Sequence, residues 1–99
     1  MKNKMIGIVG GIGSYAGIDL IRRVYDLTSA SCDQEHLPVA MLSTPHKIVD
    51  RTEFLLNQTT NNPGDAIGDI INTLVKNGAV VIGIPCSTAH APAIFDKIK

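Results

Sequence analysis

Short apolar runs and stretches of helical periodicity take turns along this chain, and that alternation limits the possible fold more than any other feature. Lys4 to Gly10 is a β-branched and apolar run that ends in glycines and reads as a strand buried on both faces. Val39-Ala40-Met41-Leu42, entered through Pro38 and closed by Ser43-Thr44-Pro45, reads as a second strand. Ala79 to Ile84 reads as a third.

The intervening segments carry the other period. From about Tyr15 to Ser31, the residues Ile18, Ile21, Val24, Tyr25 and Thr28 recur at three- and four-residue spacing, with Arg22, Arg23 and Asp26 opposite, as in an amphipathic helix. Asp50 suits the N-cap of a short helix through Asn57, with Glu53 completing a capping-box pattern. Asn61-Asn62-Pro63-Gly64 reads as a loop, in which Pro63 suits a first helical position. Asp65 to Lys76 places Ile67, Ile70, Ile71, Leu74 and Val75 on one face and stops at Asn77-Gly78, where Gly78 can turn left-handed. Pro92 to Lys99 looks like the start of a last helix.

The predicted order is β-α-β-α-α-β-α. It implies an α/β fold: a three-layer Rossmann-like parallel sheet with right-handed crossovers and flanking helices. Ligands bind such sheets beyond the carboxyl ends of the strands, where the winding reverses. The unusual stretches, Gly11-Ile12-Gly13-Ser14, Ser43 to Arg51 and Cys86 to His90, all follow strands and should share that edge.

Ninety-nine residues make one domain, and 44% hydrophobic with 18% charged content suits a globular chain. A formal net charge of zero gives no electrostatic reason to expect nucleic acid or a membrane surface as a partner. The apolar stretch Met5 to Val9 is too short for a signal peptide core or a membrane span, so a cytoplasmic address is the default expectation. Cys32 and Cys86 lie far apart and are expected as thiols in a reducing compartment.

Gly11-Ile12-Gly13-Ser14-Tyr15-Ala16 matches the dinucleotide fingerprint G-x-G-x-x-G/A. That motif also needs an acidic residue at the end of the second strand, where this chain has Leu42-Ser43-Thr44-Pro45. The glycines therefore also read as a tight turn that lets a helix pack on a strand.

Cys86 has several open roles. A phosphatase-type nucleophile needs an arginine a few residues on, and Ser87 to Pro92 contains none. A metal ligand needs partners, and His36, His46 and His90 have no recognisable metal spacing. An acid–base thiol gains from loop N–H groups at the start of a helix, while a buried packing thiol is the bland alternative. Ser87 and Thr88 suit a small carboxylate or a helix cap. Arg51, at a helix start, suits a carboxylate ligand or a surface pair with Asp50 or Glu53. His46 and His90 read as hydrogen-bonding loop residues, and Cys32, at the end of the first helix, reads as packing.

Taken together, "IGIVGGIGS", "DQEHLPV", "DRTEFLL", "IPCSTAH" and "APAIFDKI" resemble the aspartate/glutamate racemase family, in particular its cofactor-independent, aspartate racemase-like members. The resemblance spans almost the whole chain and corresponds to the N-terminal lobe of such an enzyme. It implies one lobe of a two-lobe racemase fold over residues 1–99, with the second lobe absent from this chain.

It further implies a PLP-independent amino-acid racemase acting on aspartate, glutamate or a related amino acid. One thiol takes the α-proton and another returns a proton from the opposite face, Cys86 being the first-lobe thiol. By the same carry-over, Ser87 and Thr88 bind the α-carboxylate, Ile12 and Gly13 line the site, and Arg51 faces a side-chain carboxylate. Family members often have asparagine at the position of Ser87, methionine at Ile12 and proline at Ser14. No cofactor is expected, the partner is a small amino-acid substrate, and the chain alone is expected to be inactive. Self-association, or a missing second lobe, is expected to cover its apolar interface. The rival readings are a non-catalytic small carboxylate-binding module and a nicotinamide-binding fragment.

Overall fold

The computed structural model describes residues 4–12, 15–48, 55 and 62–85. Strand β1 (Met5–Gly10) is the middle of a three-stranded parallel sheet, between β2 (Val39–Ser43) and β3 (Ala79–Gly83). Its composition explains the position: Gly7, Ile8, Val9 and Gly10 are all buried, as only a strand covered on both faces can be. Helix α1 (Ala16–Leu27) joins β1 to β2, and helix α2 (Pro63–Lys76) lies between β2 and β3. The α/β sheet with flanking helices is as expected.

The two helices lie on opposite faces. A Cβ at Gly17 of α1 would meet Met41 and Ile8, whereas Val9, Ala40, Leu42 and Ile82 pack with Ile67, Ile70 and Leu74 of α2. The main core is on the α2 side, joined there by Ile12 and Ile48. Because α1 leads to one side of β1 and α2 crosses back to the other, the winding reverses between β1 and β3.

Helix α2 has clear punctuation. Asn62 Oδ1 accepts from the Gly64 N–H at 2.8 Å, and Pro63 fills the first helical position as its residue type suggests, which starts the helix two residues before Asp65. It ends at Asn77, whose N–H donates to Thr73 and Leu74 carbonyls, and Gly78 follows with a φ of 107°. Val75, assigned to the apolar face by spacing, is exposed.

Helix α1 departs more from expectation. It stops at Leu27, because Thr28 turns extended and its hydroxyl donates to the Val24 carbonyl at 2.6 Å. Its buried residue is Gly17, with Leu20, Ile21 and Val24 half-buried behind it, while Ile18 and Tyr25 face outward. The helix is rotated toward Gly17 because that position, lacking a side chain, lets the backbone approach Met41. Cys32, expected to pack at the end of this helix, is an exposed free thiol before a 3-10 turn at Asp33–Glu35, because the helix has already ended at Leu27.

Strand β3 carries an irregularity. Met5 pairs with Ala79, but Ile6 pairs with Val81, so Val80 is an extra residue in the register. Ala79 and Ile82 consequently both face α2, within 2.9 Å of where a Gly7 Cβ would be. Residues three apart cannot share a face in an unbroken strand.

Candidate functional site

The parallel register aligns the strand ends. Gly10 pairs with Ser43, and Ile8 pairs with Gly83, so the exits of all three strands lie on one edge. From β1 the chain enters Gly11-Ile12; from β2, Thr44 and a 3-10 turn at Pro45–Lys47; from β3, Ile84-Pro85, with Cys86 next in sequence.

Gly11 has a φ of 80°, the left-handed region that a side chain disfavours. A Cβ there would also meet the Pro45 nitrogen and Cδ at 3.0 Å and the Ser43 hydroxyl oxygen at 3.2 Å. The turns after β1 and β2 are thus pressed together, and the glycine is demanded by the protein's own packing. This accounts for the fingerprint-like glycine without a dinucleotide. The end of β2 carries Ser43 and Thr44 where a ribose-binding carboxylate would stand.

Ile12 is 1% exposed and belongs to the core with Val9, Ile48 and Ile67. What it can offer a ligand is its backbone, held rigid by that anchoring. Ile48 anchors the Pro45–Lys47 turn in the same core, three residues before Arg51 in sequence. Tyr15, at the start of α1, is 82% exposed on the same edge, a large ring with little packed against it.

Of the other expected site residues, Gly13, Arg51, Cys86, Ser87 and Thr88 lie outside the described residues, as does His90. So do Asp50 to Asn57 apart from Leu55, which is helical and exposed, and the last helix from Pro92. His46 is exposed on the 3-10 turn. Cys32 lies beyond the far end of α1 from the glycine turn, a helix of 12 residues or about 18 Å away. It lies toward the amino ends of the strands, the edge opposite this one.

The stretch between Pro45 and Asp50 carried no expected element in the sequence, and the turn at Pro45–Lys47 that braces Gly11 was missed. The available signal was Thr44-Pro45, with Pro45 at the first helical position of a short turn. Among the described residues no group of three or more His, Cys, Asp or Glu could hold a metal ion. Among them, too, no helix is long and apolar enough to cross a membrane.

No protein-family model matches the chain. Among solved structures, an aspartate racemase from Picrophilus torridus is similar to it, with a TM-score of 0.81 and 33% sequence identity over 95% of this chain. The chain spans 39% of the length of that structure. Its fold is aspartate racemase-like and matches a fragment of that larger molecule.

Proposed function

We propose that this chain supplies the N-terminal half of a cofactor-independent amino-acid racemase site, acting on aspartate, glutamate or a related amino acid. The observation that carries the reading is the likeness over 95% of the chain to an aspartate racemase, joined to a strand-end edge that lies at the reversal of winding. In this reading Cys86, directly after Pro85, is the thiol that exchanges the α-proton from one face of the substrate. A second thiol from outside these 99 residues exchanges it from the other.

The remaining roles follow the same logic. Ser87 and Thr88 hold the α-carboxylate, Ile12 and Gly13 line the site, and Arg51 meets a side-chain carboxylate. Hydrogen bonds in a closed, water-poor cleft would then stabilise the carbanion that proton removal leaves. One edge open to solvent does not supply that closure, so the chain alone should not racemise.

The test is α-proton exchange of aspartate and glutamate in deuterated water, followed by NMR, with the chain alone and with a supplied second half of an aspartate racemase. Exchange only in the reconstituted sample, abolished by Cys86→Ser, is the expected result. No exchange although the halves associate would leave the carboxylate-binding module as the better reading.

A further inference from the structure

On the face that carries α1, strand β3 is bare where a parallel sheet is normally covered. Val81 pairs with Ile6 and Gly83 with Ile8, and a Cβ at Gly83 would meet Leu20 of α1 at 3.0 Å, so these positions of β3 face α1 and not α2. Leu20 covers the end of the strand, but further back Val81 is 58% exposed. Leu27, two turns after Leu20 and so on the same side of the helix, is 88% exposed. From Leu20 to Leu27 the helix descends about 10 Å, as far as β3 runs back from Gly83 to Val80, so Leu27 stands near the level of Val80 and Val81. The result is a step, with β3 as its apolar floor and the Leu20–Leu27 side of α1 as its wall. We infer that this step seats an amphipathic helix from outside these 99 residues, its apolar stripe turned toward Leu27 and Val81.

The sheet itself calls for a helix there. A helix is about 10 Å across and strands are about 4.8 Å apart, so one helix covers roughly two strands. Helix α1 serves β1 and β2 and leaves β3 to another, because a parallel sheet is covered on both faces. That other helix is not the next in sequence. From β2 to β3 the chain crosses the sheet with α2 on the far face, and a right-handed crossover from β3 to a further parallel strand continues in the same direction and sets its helix beside α2.

A cover on the α1 face therefore has to return from later in a longer chain. The similar racemase, of whose length this chain spans 39%, has the protein to supply it. A second copy of this chain fits the step less well. It would have to lay the outer side of its own α1 on β3, and that side carries the exposed charges of Asp19, Arg22 and Asp26 against an apolar floor. The source of the helix rests on the racemase reading, whereas the step itself does not.

The test is a thiol footprint. Leu27→Cys, Val81→Cys and, on the opposite flank of α1 where Tyr25 packs on His36, Tyr25→Cys are alkylated with iodoacetamide, and each site is read by peptide mass spectrometry. All three positions are exposed, so the fold should tolerate the changes. Rates are compared between the dilute chain alone, a chimera in which the chain replaces the part of the similar racemase that it matches, and the chain with the rest of that racemase added separately, so that the outcome does not hang on one arrangement folding. Leu27→Cys and Val81→Cys should react at least about tenfold more slowly once the rest of the racemase is present, with Tyr25→Cys unchanged. The inference is overturned if neither step thiol is protected in either arrangement, if Tyr25→Cys is protected equally, or if Leu27→Cys becomes protected in the chain alone as its own concentration rises, which would give the step to a second copy. With α-proton exchange measured on the same samples, exchange without protection sinks this inference and spares the racemase reading, while protection without exchange does the reverse.

Discussion

Gly7 and Gly11 show how much of this domain depends on side chains that are missing. A methyl group at Gly7 would be 2.9 Å from Ala79 Cβ, which has no rotamer to escape into, and 3.2 Å from Leu74 Cβ. Gly7→Ala should therefore destabilise the domain by about 1–3 kcal/mol, as overpacking does, with a lower urea midpoint as the readout. At Gly11 the cost has another origin, a left-handed φ together with contact against Pro45. Gly11→Ala should cost about 1–2 kcal/mol and shift the amides of His46 and Lys47. Gly7 lies in mid-strand, away from the strand ends, so exchange in a reconstituted sample should survive Gly7→Ala at temperatures where it stays folded, and fall in Gly11→Ala. Equal losses in both would mean that the glycine turn has no special part at the site.

Among the elements, α2 depends on its start. Asn62→Ala removes the side chain that accepts from the Gly64 N–H and should cost about 1 kcal/mol in urea denaturation, whereas Asn62→Asp, which keeps an acceptor, should be close to neutral. A loss of the same size in both variants would point to something other than the cap. This helix was readable from sequence because its signals are local: Asn62-Pro63 opens it, Asn77-Gly78 closes it, and four of its five apolar positions carry the expected spacing inward. The buried face of α1 was readable only in part: Ile21 and Val24 turn inward as their spacing implies, but periodicity weighs side chains and the most buried position is Gly17, which has none. The extra residue at Val80 was invisible. Ala79-Val80-Val81-Ile82 is apolar throughout, so there is no alternation for a bulge to interrupt. At the site, the sharing of one edge by three loops was legible from strand–helix order alone. The pressing of Pro45 against Gly11 was not, because it joins residues more than thirty positions apart whose types do not announce a contact.

For the molecule as a whole, the question is what meets β3. The strand order leaves β3 at the side of the described sheet, and its Val80 and Val81 are each 58% exposed. An apolar strand whose outer N–H and C=O groups face away from the sheet is a template for pairing with another chain. The similar racemase is much longer than this chain, which spans 39% of it, and such a length leaves ample protein to cover that side. Without it, copies of the chain should cover one another. Sedimentation velocity between about 10 and 200 μM should then show a coefficient that rises with concentration, in the range where modest apolar interfaces associate. Replacing both Val80 and Val81 with lysine should hold the coefficient near the monomer value, since charge on an edge strand opposes pairing while neither side chain is part of the core. Addition of the second half of a racemase should also suppress self-association if both compete for this side. A parent chain that stays monomeric throughout would mean that these valines tolerate water and that closure of the site draws on another surface.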